Sequence, residues 1–83
     1  MFIPGNLKTA RKEKKLFHTD VLYRLHEQGI KISRQTLINW ESGYTTPNAN
    51  EVQILAGILG RPIDFFFDDT EYLSGKENKA HIS

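Results

Sequence analysis

The stretch ISRQTLINWESG, residues 32–43, holds two kinds of residue at helical spacing. Leu37 and Trp40 sit three apart and call for burial. Arg34, Gln35 and Asn39 fall on another face, because 35 and 39 are one turn apart and 34 is adjacent. Ser33 is placed to cap the helix and Gly43 to end it. One short helix, 33–42, is thus given an apolar side for a bundle and a side of planar hydrogen-bonding groups.

Working outward, the preceding residues predict a partner helix. It starts near His18 or Thr19 and turns Val21, Leu22 and Leu25 inward and Arg24 and Glu27 outward. Gly29 closes it, since a left-handed residue there needs no Cβ. Before it, Asn6 is read as the cap of a helix over 7–15, with Leu7, Ala10, Arg11 and Lys14 on one face. After the central stretch, YTTPN is a loop, because Pro47 disfavours helix at Thr46. Asn48 caps a fourth helix, with Val52, Leu55, Ala56 and Leu59 inward and Gly60 at its end. RPIDFFF predicts a short fifth helix with Pro62 in its first turn. No strand pattern competes. The expectation is an all-α fold, a compact five-helix bundle in which helices two and three form a helix-turn-helix. Residues 1–67 make the domain, and 68–83 form a polar, flexible tail.

Composition bounds the function. The chain has 83 residues and no Cys, so one small core must fold without disulfide or thiolate-bound metal. No apolar run approaches the roughly 18 residues of a membrane span. The N-terminus MFIPGN lacks a signal peptide's order, which predicts a cytoplasmic protein. Net charge is only +1, but it is unevenly spread. Residues 1–47 carry eight Lys or Arg against four acids (+4), and residues 48–83 carry three against six (−3). A basic front half suits a polyanion, although charge scatter in a short chain gives the same split.

In a helix-turn-helix the second helix lies in the DNA major groove. Arg34 has the fork for guanine O6 and N7, and Gln35 and Asn39 suit adenine N6 and N7. Ile38, one turn beyond Arg34, points outward to meet a thymine methyl or simply to sit on the surface. Thr36 and Thr19 stand near helix N-termini that favour phosphate. Tyr44, Thr45 and Thr46 follow the helix and reach the sugar-phosphate edge. Lys8, Lys12 and Lys31 add charge, or are ordinary solvated side chains.

Together these features resemble the Cro/C1-type helix-turn-helix domain, the Xre family, over residues 7–67. LKTARKEKKL resembles its first helix. SRQTLINWESG resembles its recognition helix, with Leu37, Trp40, and Glu41 two residues before Gly43. TPNANEVQILAGILGRPIDFFF resembles its ending. The resemblance implies a lambda-repressor-like fold and a sequence-specific transcription regulator, a repressor, in a bacterial or phage setting. It implies base contacts from Arg34, Gln35 and Asn39, to which the reading of the residues adds Ile38. Ser33, Thr36, His18, Thr19 and the 44–46 loop then lie at the DNA backbone. It also implies a structural pair between Arg11 and Glu41. Two departures stand out. Phe17-His18 replaces the usual Ser-Gln, leaving Thr19 as the cap and His18 as the phosphate contact. YRLHEQGIKIS is about one helical turn longer than the usual link.

Other functions fare less well. His18, Asp20 and His26 are the only residues resembling a metal or acid–base set, and the two histidines are too far apart for an i, i+4 metal pair. No enzyme activity, cofactor or metal is expected. The rival is a protein-interaction module of the same fold, an antitoxin or co-regulator. Ile54, Ile58, Phe65, Phe66 and Phe67 form an apolar patch for a partner, or pack on Phe2 and Ile3 to finish the core. A single helix reads few base pairs, so a weak homodimer on double-stranded DNA is expected, through Ile54, Ile58, Phe65 and Phe66 with Tyr72 and Leu73 beyond.

Overall fold

In the computed structural model, which describes residues 1–68, four α-helices pack around one core. They are α1 (Pro4–Glu13), α2 (His18–Glu27), α3 (Arg34–Ser42) and α4 (Ala49–Leu59), followed by a 3₁₀ turn, Ile63–Phe66. Helix α3 packs on α1 and α2, α2 also packs on α4, and the 3₁₀ turn closes against α4 and α1. The core takes Leu7 and Ala10, Val21 and Leu25, Leu37 and Trp40, and four residues of α4, with Phe2 and Phe66. Helices α3 and α4 thus bury the stripe that periodicity predicts, α2 buries Val21 and Leu25 of it, and α1 buries its part up to Arg11.

The starts of the helices have different causes. Helix α1 begins three residues earlier than the sequence suggests, with Pro4 in its first turn and Ile3 before it. Proline there loses no hydrogen bond and has the right φ already. Asn6 is therefore inside the helix and does not cap it; its amide donates to the Phe65 carbonyl at 2.8 Å. Thr19 does not cap α2 either. Asp20 does the work, accepting from the Phe17 amide at 2.7 Å. Ser33 caps α3 by accepting from the Thr36 amide. Asn48 and Glu51 cap α4 reciprocally, each side chain on the other's amide at 2.8 Å.

The ends share one device. The amides of Leu16, Ile30, Tyr44 and Arg61 return to the carbonyl five residues back, at 2.9–3.1 Å. The residue just before each is left-handed: Lys15 (φ 59), Gly29 (φ 85), Gly43 (φ 86) and Gly60 (φ 69). This is the closure that satisfies orphan carbonyls at a helix end. At α1 a lysine adopts the strained conformation that glycine adopts elsewhere. Lys14 is exposed and does not join Leu7, Ala10 and Arg11 on the inner face.

The expected fifth helix forms only as a four-residue 3₁₀ turn, Ile63–Phe66, and not as an α-helix. Pro62 precedes it, and the Phe66 carbonyl accepts from the Ile3 amide at 2.8 Å. Phe2 and Phe67 then pair as an isolated antiparallel bridge, their rings edge to face. This pairing takes the backbone that a further helical turn would need. Asp68 is still held, its amide donating to the Met1 carbonyl. The remainder of the expected tail, with Tyr72 and Leu73, lies outside the described residues.

Phe66 is 0% exposed and takes no part in a surface, which corrects its placement in the dimer patch. Truncating it, Phe66→Ala, is expected to cost about 3–5 kcal/mol of stability in chemical denaturation. A loss below about 1 kcal/mol would place it outside the core.

Candidate nucleic-acid interface

The geometry of α3 is set from behind. Arg11 of α1 and Glu41 of α3 are both buried and meet as a fork. Arg11 Nε donates to Glu41 Oε2 at 2.7 Å and Nη2 to Oε1 at 3.1 Å. The remaining terminal nitrogen of Arg11, Nη1, donates to the Leu16 carbonyl at 2.9 Å. Two parallel charge-assisted bonds fix distance and angle together. The fork thus sets the rotation of α3 relative to α1, and with it the direction of the outward face.

A third group joins the fork. His18, at the first position of α2, lies with Nε2 3.1 Å from Glu41 Oε1. This was the residue expected to face phosphate. One of its two nitrogens is instead engaged inside the protein, because the carboxylate of Glu41 lies within reach of the start of α2. Its spacing from Glu41 in the sequence gives no sign of this.

The outward residues of α3 are arranged as a row. Arg34 and Gln35 are exposed, and Thr36, Ile38 and Asn39 are partly buried. Gln35 Nε2 donates to Asn39 Oδ1 at 2.9 Å, so the two amides are locked side by side. Each keeps spare capacity: Gln35 its carbonyl and one N–H, Asn39 its NH₂ group. Arg34 makes no hydrogen bond or ion pair among the described residues, so its whole fork is available. Ile38 does not point freely outward. It is half-buried and borders a depression that it shares with Lys8 and Ser42.

The flanks differ in what they leave free. Ser33 Oγ lies 3.0 Å from Thr36 Oγ1, so these hydroxyls are partly engaged with each other. Thr19, Thr45 and Thr46 are exposed, and Tyr44 is 82% exposed. The loop after α3 is nonetheless anchored, with the Tyr44 and Thr45 amides on the Asn39 carbonyl. Phe17, beside His18, is 75% exposed.

Other contacts had no clear signal in the sequence. Arg61 pairs with Glu13 and lies 4.8 Å over the Phe65 ring, so Phe65 is partly covered. Ile54 and Ile58 are half-buried against the core. Their outer sides line a shallow groove with Gly57 of α4 and Arg24, Glu27 and Gln28 of α2. No helix among the described residues is long and apolar enough to cross a membrane.

A family model described as helix-turn-helix matches residues 25–66, half of the chain. That span starts at the end of α2 and includes all of α3 and α4. Comparison with curated proteins and with solved structures returns no match.

Removing one side of the fork should be costly. Glu41→Ala leaves the Arg11 guanidinium buried without its carboxylate and is expected to lower stability by about 3–5 kcal/mol. Urea denaturation measures this directly, and an unchanged midpoint would mean that the fork holds nothing in place.

Proposed function

The chain belongs to the Cro/C1-type helix-turn-helix family of DNA-binding regulators, and on that premise we propose that it is a sequence-specific transcriptional repressor acting in the cytoplasm. Helix α3 enters the major groove. The observation that carries this reading is the pairing of an unengaged Arg34 with a locked Gln35–Asn39 row on one exposed face. Those groups match the donor and acceptor pattern of guanine and adenine edges. Ile38 contributes only its outer side. Thr19, Thr36, Tyr44, Thr45 and Thr46 surround that face and serve as backbone contacts, which set register but carry no sequence information.

Selection of bound sequences from random duplexes would define the site. On that site Arg34→Ala is expected to weaken binding by about 1–3 kcal/mol and to relax preference at one base pair. Unchanged affinity and preference would rule out α3 as the reading helix.

The protein acts as a weak homodimer tightened by DNA, on half-sites about 34 Å apart. The groove between α2 and α4 supports a contact with another chain. It offers Ile54 and Ile58, rimmed by Arg24 and Glu27, charges of both signs that a two-fold contact can pair. The same groove favours the second reading, a module whose partner is a different protein. Ile58→Glu is expected to abolish cooperative binding to the full site while leaving half-site affinity in place. Sedimentation of the DNA complex would exclude the dimer if it gave one chain per full site.

A further inference from the structure

The bond between Gln35 and Asn39 divides the work of two like side chains. A free primary amide offers one carbonyl and two N–H groups, so either residue alone suits adenine. Joined as they are, the two are no longer equivalent. Gln35 Nε2 gives one hydrogen to Asn39 Oδ1 at 2.9 Å. Gln35 is left with a free carbonyl and one N–H, an acceptor beside a donor. Asn39 is left with both hydrogens of its NH₂ group and a carbonyl already occupied. Oδ1 has a second lone pair, but Nε2 stands against that oxygen with a second hydrogen of its own. A further donor arriving at Oδ1 meets that hydrogen and is repelled. Toward anything in front of the helix, Gln35 is therefore a mixed group and Asn39 a donor.

We infer that Asn39 reads a base bearing a keto oxygen in the major groove, guanine before thymine, and that Gln35 holds it to that choice while itself reading adenine. This rests on the DNA-binding reading above and names the bases that the row accepts. Guanine presents O6 and N7, two acceptors for the two hydrogens of Asn39, and thymine presents O4. Cytosine sets its N4 hydrogens against those of Asn39. Adenine offers N7, but only with its N6 hydrogens opposed. Gln35 selects in the other sense. Adenine N7 takes its N–H and adenine N6 donates to its carbonyl, whereas guanine sets O6 against Oε1. The bond joins positions one turn apart on α3, about 6 Å along the axis, close to two base-pair steps of roughly 3.4 Å. Each amide can thus meet its own base pair with the bond intact. Spacing alone allows two adenines for two like amides, and the bond between them removes that choice.

The test is selection of bound sequences from random duplexes by the wild type, Gln35→Ala and Asn39→Ala, with circular dichroism reporting the fold of each. The position whose preference Asn39→Ala erases is the one under Asn39. In the wild type it should hold guanine or thymine, with adenine and cytosine disfavoured by roughly five- to 150-fold. Gln35→Ala should do two things. It erases an adenine preference at a nearby position, and it frees Oδ1, so that adenine rises at the Asn39 position at the expense of guanine and thymine. If Asn39→Ala loses its fold, Asn39→Asp takes its place. The carboxylate keeps an oxygen for Gln35 but has no hydrogens, and the preference should move from guanine to cytosine. A wild-type adenine at the Asn39 position, or an Asn39 position unchanged by Gln35→Ala, would overturn the inference and leave DNA binding intact. Failure of the wild type to enrich any sequence would overturn the DNA-binding reading with it.

Discussion

Arg11 and Glu41 lie in the interior of a domain whose core is otherwise apolar, and each nitrogen of the guanidinium and each oxygen of the carboxylate has a hydrogen-bond partner. Bringing two charges out of water is expensive, and an ion pair of this kind adds little stability over two apolar side chains that fit as well. What the pair adds is geometry. An apolar contact between α1 and α3 would tolerate some rotation or sliding of one helix on the other. A two-bond fork does not. The exposed row on α3 faces one direction because the opposite side of that helix is pinned. Leu37 and Trp40 supply the burial that holds α3 against the bundle, and the fork chooses the angle.

Much of this architecture was legible in the sequence because it is local or periodic. The stripes of α2, α3 and α4 appear at helical spacing. Ser33 and Asn48 announce helix starts, and Gly29, Gly43 and Gly60 announce ends. The errors fall where a distant contact overrules a local preference. Asn6 looks like a cap, but its amide is taken by Phe65 on the far side of the chain. The phenylalanine run looks helical, but it keeps only a 3₁₀ turn as far as Phe66, and Phe67 pairs with Phe2 in a bridge. Lys15 carries no mark of the left-handed turn it makes, since that role usually falls to glycine.

The same division runs through the interface. Gln35 and Asn39 could be placed on one face from spacing alone, because a helix brings i and i+4 together. That their amides bond to each other is a matter of rotamers, which spacing does not specify. His18 and Ile38 mark the limit more clearly. Each is expected on the outward surface from its position in the chain, yet His18 is engaged by Glu41 of α3 and Ile38 is only partly exposed. Side-chain accessibility at the edge of a packed face is settled by neighbours that the local sequence does not contain.

The clasp between the first residues and the 3₁₀ turn has an entropic consequence. Its contacts run from Asn6 and Phe65, 59 residues apart along the chain, out to Met1 and Asp68. Helix pairs such as α2 and α3 meet across a short turn and need little loop closure, whereas the clasp must close a loop that contains nearly the whole domain. Its closure therefore carries a larger chain-entropy cost than the pairing of neighbouring helices. Phe66 completes the core through that clasp, so a chain in which residues 2 and 67 are apart leaves the apolar floor beneath this ring uncovered and adhesive.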